Sequence, residues 1–422
     1  MKNNLKSALV AIAFAFVTVL NAQVKEPMDT MPFQLSLITP LGTNGMNSWN
    51  TVNNVSLNIF ASYAGGVDAF EATGFVSVLR GNLNGAQFSG FANADLGCTD
   101  GVQMAGFVNF NKGKLEGAQF AGFVNTVTDN TKAIQVAGFV NTVVGEFEGA
   151  QFSGFVNAVT KKTKGAQLTG FVNVVMDSLD GFQGAGFANY SMGNSVGQVS
   201  GFVNTNIGDL NGVQAAGFVN VNTGYLKGAQ LAGFVNVTKQ LRGTQIGFFN
   251  YVDSLEKGIP IGIFSIVKNG YRTIEVSSSE TLYGITSYKT GTCNFYNIIS
   301  AGIGMHDHQT LWGFGYGIGT LIGLSDKFEL AIEAQSFQIN ENNEFVDYLN
   351  LWNKLTIQPS FQLKPGMEVF GGPTLNAVVS DTKNSEGKPV NSTIAPYTSY
   401  TKLYSDGTKL ELYPGFTVGM RF

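Results

Sequence analysis

His306, Asp307 and His308 make up the one stretch of the 422-residue chain that carries histidine. Two histidines two residues apart on an extended strand share a side, so they could hold a metal ion while Asp307 faces away. One of them beside a serine could instead activate a nucleophile, but no spacing in the chain singles out a serine. The plainer reading is a loop at a sheet rim, which leaves His306 and His308 as weak metal candidates and names no catalytic residue. Cys98 and Cys293 lie far apart, make neither a disulfide framework nor a zinc pattern, and read as small buried or half-buried side chains. The Gly-rich phrases are not phosphate loops, because no Lys-Ser or Lys-Thr follows them and no helix opens behind them. No enzyme and no cofactor is expected.

The composition narrows the partners. With 53 Gly, 34 Phe, 13% charged residues and a formal charge of −4, the chain lacks the basic surface that nucleic acid needs, and it is too apolar to stay disordered. Lys2 and Lys6, the apolar run Ala8 to Leu20, and Leu20-Asn21-Ala22 before Gln23 read as a signal peptide over residues 1–22. Gln23 in place of a cysteine argues against a lipoprotein anchor.

The elements that position these side chains are written as a repeat. Gly117-Ala118-Gln119-Phe120-Ala121-Gly122-Phe123-Val124-Asn125 returns at 149–157 and 165–173, and the Gly-Phe step recurs every sixteen residues from Gly74 to Gly186. A short fixed period means units that bury their apolar groups against one another. Gln87, Gln103, Gln119, Gln135, Gln151 and Gln167 recur in register, as do Asn93, Asn109, Asn125, Asn141, Asn157 and Asn173. Stacked at about 4.8 Å, identical amides can bond along the axis, so these two rows are expected to be structural ladders. Leu115 and Phe123 lie half a period apart and are expected to face each other across a flattened coil, with Gly113 and Gly117 at close backbone approaches. Charges such as Lys112, Lys114, Glu116, Lys161, Lys162 and Lys164 sit at the variable positions. No proline occurs between Pro40 and Pro260, as expected where each backbone N–H is wanted in a ladder.

A second apolar row runs beside the first. Phe120, Val124, Phe152, Val156, Leu168 and Val172 would point outward and form a docking face, because soluble monomers rarely leave so large an apolar surface open. It would meet another part of the chain, a partner or lipid. Lipid also allows a rival architecture in which successive repeats are antiparallel staves of a wide membrane barrel. The likeness of each unit to the next favours the solenoid.

Outside the repeats the pattern is that of ordinary strands. Val55, Leu57, Ile59, Ala61 and Tyr63 alternate with Asn54, Ser56, Asn58, Phe60 and Ser62. Beyond Lys268-Asn269-Gly270-Tyr271 longer strands alternate: Leu355, Ile357 and Phe361 against Lys354, Thr356 and Gln358; Phe314, Tyr316 and Ile318 against glycines; Phe416, Val418 and Met420 against Thr417 and Arg421. Long strands with one apolar face, after an export signal, suggest a closed barrel in an outer membrane.

The final Phe422 on such a strand resembles the terminal aromatic signature of bacterial outer-membrane barrels. The Gly-Phe-Val-Asn phrases after Gly-Ala-Gln, from about Gly74 to Asn250, resemble a bacterial surface-repeat family of exported proteins, which implies a surface location and no catalytic residues. Units near Gly197 and Thr244 are shorter than that pattern. The expectation is therefore an all-β chain, a 16-residue-repeat β-solenoid inserted in an outer-membrane-type antiparallel β-barrel. Residues 23–66 would be strands of the barrel or its cap, 67–266 the solenoid and 267–422 the barrel. The expected function is a surface-displayed structural or adhesin-like binding module anchored by the barrel. The alternative is an outer-membrane channel with the repeats as staves or plug. Expected partners are outer-membrane lipid, an unknown protein or glycan, or another copy of the chain, and not nucleic acid.

Overall fold

A computed structural model describes residues 28–306, 309–341, 345–390 and 392–422, so the expected signal peptide lies outside the described residues. The chain divides after Gly224 into two units.

In the first unit each sixteen-residue repeat is one coil of two short strands. Leu115–Ala121 runs to a bend at Gly122-Phe123, Val124–Val127 runs back, and Thr131–Ala137 opens the next coil. Neighbouring coils pair parallel and in register, Gln119 against Gln135 and Asn125 against Asn141. This is a β-solenoid, and parallel neighbours are incompatible with repeats that run up and down as barrel staves. Asp29–Ile38 and Thr51–Ala64 pair parallel with each other, and the latter pairs parallel with Gly66–Thr73 and Val76–Leu79. The N-terminal strands thus belong to the solenoid sheet, at its start, and supply nothing to the antiparallel sheet.

The inside of a coil has an apolar half and an amide half. Leu115, Val127, Val143, Phe147, Val159 and Leu179 form one buried cluster. The amides fill the other half and are fully buried. Leu115 therefore packs beside Val127, and the expected Leu115–Phe123 pair does not form: Phe123 is 37% exposed. The reason is the bend. The chain folds back at Gly122, so that Asn125 Nδ2 reaches the Gln119 carbonyl across the coil at 3.3 Å. A residue on the convex side of the bend has no opposite wall. Only glycine fits before it, since a Cβ on Gly122 would lie 2.0 Å from the Gly106 carbonyl oxygen.

The shortened units are absorbed locally. One residue is skipped between Leu179 and Phe182 of one strand and its neighbour, after which Gln183 still faces Gln198. The rung survives at 2.9 Å.

The second unit holds further coils and then an antiparallel sheet. Val235–Ile246, Phe249–Ile261 and Phe264–Val267 pair parallel, with Asn236 against Asn250 and Ser265. Asn297, from the following sheet, ends this stack: its Oδ1 accepts the Ser265 N–H at 2.9 Å and its Nδ2 donates to the Gly262 carbonyl at 2.7 Å. Nine antiparallel strands follow, from Tyr271–Ser279 to Thr408–Arg421. Their polarity is reversed relative to a soluble sheet. In Asn350–Lys364, Asn350, Trp352, Lys354, Thr356, Gln358 and Ser360 are buried, whereas Leu355 and Ile357 are exposed.

The rungs carry a stability prediction. Gln119 Nε2 donates to Gln103 Oε1 at 2.7 Å, and Gln119 Oε1 accepts from Gln135 Nε2 at 2.8 Å. Gln119→Leu orphans one acceptor and one donor, so a loss of about 2 kcal/mol or more is expected in urea unfolding of the full chain, against a far smaller change for the surface substitution Lys132→Gln.

Candidate functional site

The chemical candidates do not assemble. His306 ends the strand Phe295–His306, and His308 lies outside the described residues. Among the described residues no three His, Cys, Asp or Glu side chains gather where they could hold a metal. Cys98 and Cys293 are both free and exposed, a correction to their reading as buried or half-buried side chains. Cys98 falls on the charged corner because it occupies the repeat position of Lys114 (114 − 98 = 16), where each coil turns outside its sheet.

The two amide rows run as continuous ladders of opposite sense. Each Gln donates back to the coil before: Gln103 to Gln87 at 3.1 Å, Gln135 to Gln119 at 2.8 Å, Gln151 to Gln135 and Gln167 to Gln151 at 2.7 Å. Each Asn donates forward, Asn93 to Asn109, Asn109 to Asn125, Asn125 to Asn141 and Asn141 to Asn157 at 2.9 Å, and Asn157 to Asn173 at 3.0 Å. The same Asn Nδ2 takes a carbonyl beside the next bend, as Asn109 does with Phe120 at 2.8 Å. These groups are sealed from solvent, so they hold the coils together and present nothing to a ligand.

Two acids at the head of the ladder went unread in the sequence. Glu71 stands in the Gln row (87 − 71 = 16), and the period alone could have shown it. Its carboxylate accepts from Gln87 at 3.0 Å and Ser77 at 2.6 Å, and Asp95 accepts from Gln87 at 3.1 Å and Gln103 at 2.7 Å. Glu71 thus shares with Ser77 and Asp95 the amide donor of the first Gln of the ladder. Burial raises both carboxyls, against the lowering effect of these hydrogen bonds, and lifts Asp95 to about 8.

The largest outward feature is apolar. Phe75, Phe91, Phe107, Phe123, Phe139, Phe155, Phe171, Phe187, Phe202 and Phe218 stack face to face, ring centroids 4.7–5.2 Å apart. Beside them lie the residues singled out as a docking face: Phe152 and Leu168 are each 39% exposed, and Phe120, Val124, Val156 and Val172 are half-buried. Along the first coils runs a furrow of about 740 Å³, lined by the bend glycines Gly90, Gly106 and Gly122 and by Phe88, Met104 and Phe120. The charged residues Lys114, Glu116, Lys132, Glu146, Glu148, Lys162 and Lys164 surround a separate groove at the other corner of the coil.

In the antiparallel sheet the buried side holds ions. Lys289 Nζ bonds both Glu275 and Glu333, Arg421 Nε reaches Glu275 at 2.9 Å, and the Tyr296 hydroxyl donates to Glu333 at 2.7 Å. Toward another part of that interior, Leu311, Phe337, Trp352, Val378 and Tyr413 enclose Ile394, brought in by the segment between the last long strands.

The acids give a pH prediction. With the folded pKa of Asp95 above its ordinary value of 3.8, the folded chain binds more protons than the unfolded chain between 3.8 and about 8. Its contribution is fully present below 3.8 and is lost as pH rises toward 8, with a limiting slope of about 1.4 kcal/mol per pH unit. Asp95→Asn, mimicking Asn111 in the next coil, is expected to flatten that slope and raise stability above pH 8, as read from denaturant midpoints of both proteins between pH 4 and 9.

Compared with known protein families, curated proteins and solved structures, the chain matches none of them.

Proposed function

We propose that the chain is a non-enzymatic outer-membrane protein. In this reading the antiparallel strands close into a β-barrel anchor, and the solenoid is a structural or adhesin-like module at the cell surface. The observation that carries the reading is the reversed polarity of the antiparallel sheet. Phe314, Ile318, Leu355, Ile357, Leu375, Phe416 and Val418 are exposed, while Lys289, Glu333, Lys354, Gln358 and Arg421 are buried. Water does not favour that arrangement, but hydrocarbon outside and a polar interior do. No helix among the described residues is long and apolar enough to cross a membrane, which leaves strands as the crossing elements.

Closure is supported by pairing. Thr408–Arg421 pairs with Met367–Asp381 on one side and with Tyr271–Ser279 on the other. Setting aside the short Tyr400–Leu403 at the margin of the nine strands, eight remain (9 − 1 = 8), each with two neighbours. Strands of 9 to 15 residues are long enough to cross, since a tilted membrane strand needs about ten. An interior occupied by Trp352, Tyr296, Tyr413, Phe337 and the Lys289–Glu333 pair supports an anchor over an open channel. The module's partner is a protein, a glycan or a second copy, met at the variable charged corners.

Lys162→Cys and Ser178→Cys, made singly in a chain with Cys98 and Cys293 replaced by serine, test the placement with a thiol reagent that cannot cross the outer membrane. Both sites are expected to label in intact cells, because parallel coils put positions one repeat apart on one corner. Labelling of both only after permeabilisation would move the module to the periplasm, and labelling of one alone would overturn the parallel stack. Purified protein in a planar bilayer is expected to show no steady conductance; a stable open level would put the channel first.

A further inference from the structure

From the coil of Gly90 to that of Gly233 the Gly-Phe edge of the solenoid is free of charge. Nine-residue windows starting at 86, 102, 118, 134, 150, 166, 182, 197, 213 and 229 contain no Asp, Glu, Lys or Arg. Ten successive coils therefore confine their charges to the other seven or so residues, at the far corner. The cross-section has the polarity of an amphipathic interfacial element, with a wide apolar side and a charged side.

The backbone at this edge is also prepared for a solvent that cannot form hydrogen bonds. The N–H of Gly122 donates to Ala105, and those of Phe123 and Val124 donate to Phe107, all in the coil before. The Phe120 carbonyl, beside the bend, is taken by Asn109. Satisfying the main chain internally is the requirement that hydrocarbon imposes. A protein interface, by contrast, presents a polar rim and direct hydrogen bonds around its apolar centre, and this edge offers ten copies of one apolar phrase with no rim between them.

Within the second unit, the bend at Gly262 adjoins the outward face of the antiparallel sheet. Ile261 and Ile263 are exposed at the last bend, and the Gly262 carbonyl between them accepts from Asn297 Nδ2 at 2.7 Å. That Asn297 amide also donates to the hydroxyl of Tyr316 at 2.7 Å, on the row that carries Phe314 and Ile318 outward. The bend and the sheet face are continuous there, so a medium that wets one wets the other.

We propose that the Gly-Phe edge is embedded in the hydrocarbon of the bilayer, with lipid acyl chains lying against the furrow lined by Phe88, Met104 and Phe120. The inference rests on the reading of the antiparallel sheet as the membrane anchor. Gly74, Gly90, Gly106 and Gly122 leave the furrow open, and Phe88, Met104 and Phe120 line it at the coil spacing, as a linear chain requires. Each coil then meets hydrocarbon with its Gly-Phe bend and keeps its charged corner in water.

The test uses full-length protein in phosphatidylcholine vesicles whose acyl chains carry bromine, which quenches tryptophan on contact. Trp49→Phe and Trp312→Phe form the background, with Trp352 retained inside the sheet. Phe123→Trp or Leu168→Trp then reports the edge, Phe314→Trp the outward sheet face and Lys162→Trp the charged corner. The edge and sheet reporters are expected to be quenched severalfold more than the charged-corner reporter. A quenched sheet reporter with an unquenched edge reporter overturns this inference and leaves the anchor standing. In that case a blue-shifted, unquenched edge signal identifies a second copy or another protein as the cover. An unquenched sheet reporter overturns the anchor itself. Two edge positions are used so that a disturbance of the phenylalanine stack by one of them does not decide the result.

Discussion

Registry between coils depends on the buried amides. An apolar rung can slide on its neighbour at little cost, but a Gln or Asn sealed from water has to find its partner at one spacing or remain unsatisfied. The two ladders point in opposite directions, Gln back and Asn forward, so their dipoles oppose rather than accumulate along the stack. Each ladder also does a second task. The Asn row takes the carbonyl beside each bend, which allows the chain to turn at Gly-Phe without leaving an orphan inside. Where a residue is missing near Gly197, the strand yields and the rung is kept.

A ladder of this kind needs ends. At its start the acceptor role passes to Glu71, helped by Ser77 and Asp95, and at the close of the second unit's coils the Asn row ends on the Ser265 hydroxyl while Asn297 caps backbone groups of the last coil. The acid end is a compromise, since burial opposes charge while the converging donors favour it. An Asn or Ser end would lack that tension. The result is a stack whose termini differ in chemistry although its middle is uniform.

The two units solve the placement of polar groups in related ways. The coils bury amides and expose phenylalanines, and the antiparallel sheet buries ion pairs and exposes isoleucines, leucines and phenylalanines. Isolated buried ions would be costly, and here Lys289, Glu275, Glu333 and Arg421 neutralise one another in one network. Apolar surface is turned outward in both units.

The sequence by itself determined the period, the parallel likeness of one unit to the next, the Gln and Asn rows, and the change to longer alternating strands after Lys268. These follow from repetition and from a two-residue alternation, both of which are local in the chain. Tertiary structure decided which side of each strand is inside. An alternating strand reads the same when it is turned over, so neither the outward sense of Leu355 and Ile357 nor the inward sense of Lys354 and Gln358 could be read from spacing. It also decided that Phe123 leaves the coil while Leu115 meets Val127, because Phe123 falls on the convex side of the bend at Gly122. The fate of Asp29–Ile38 was decided in the same way: its choice between two sheets depended on pairing partners remote from it in the chain.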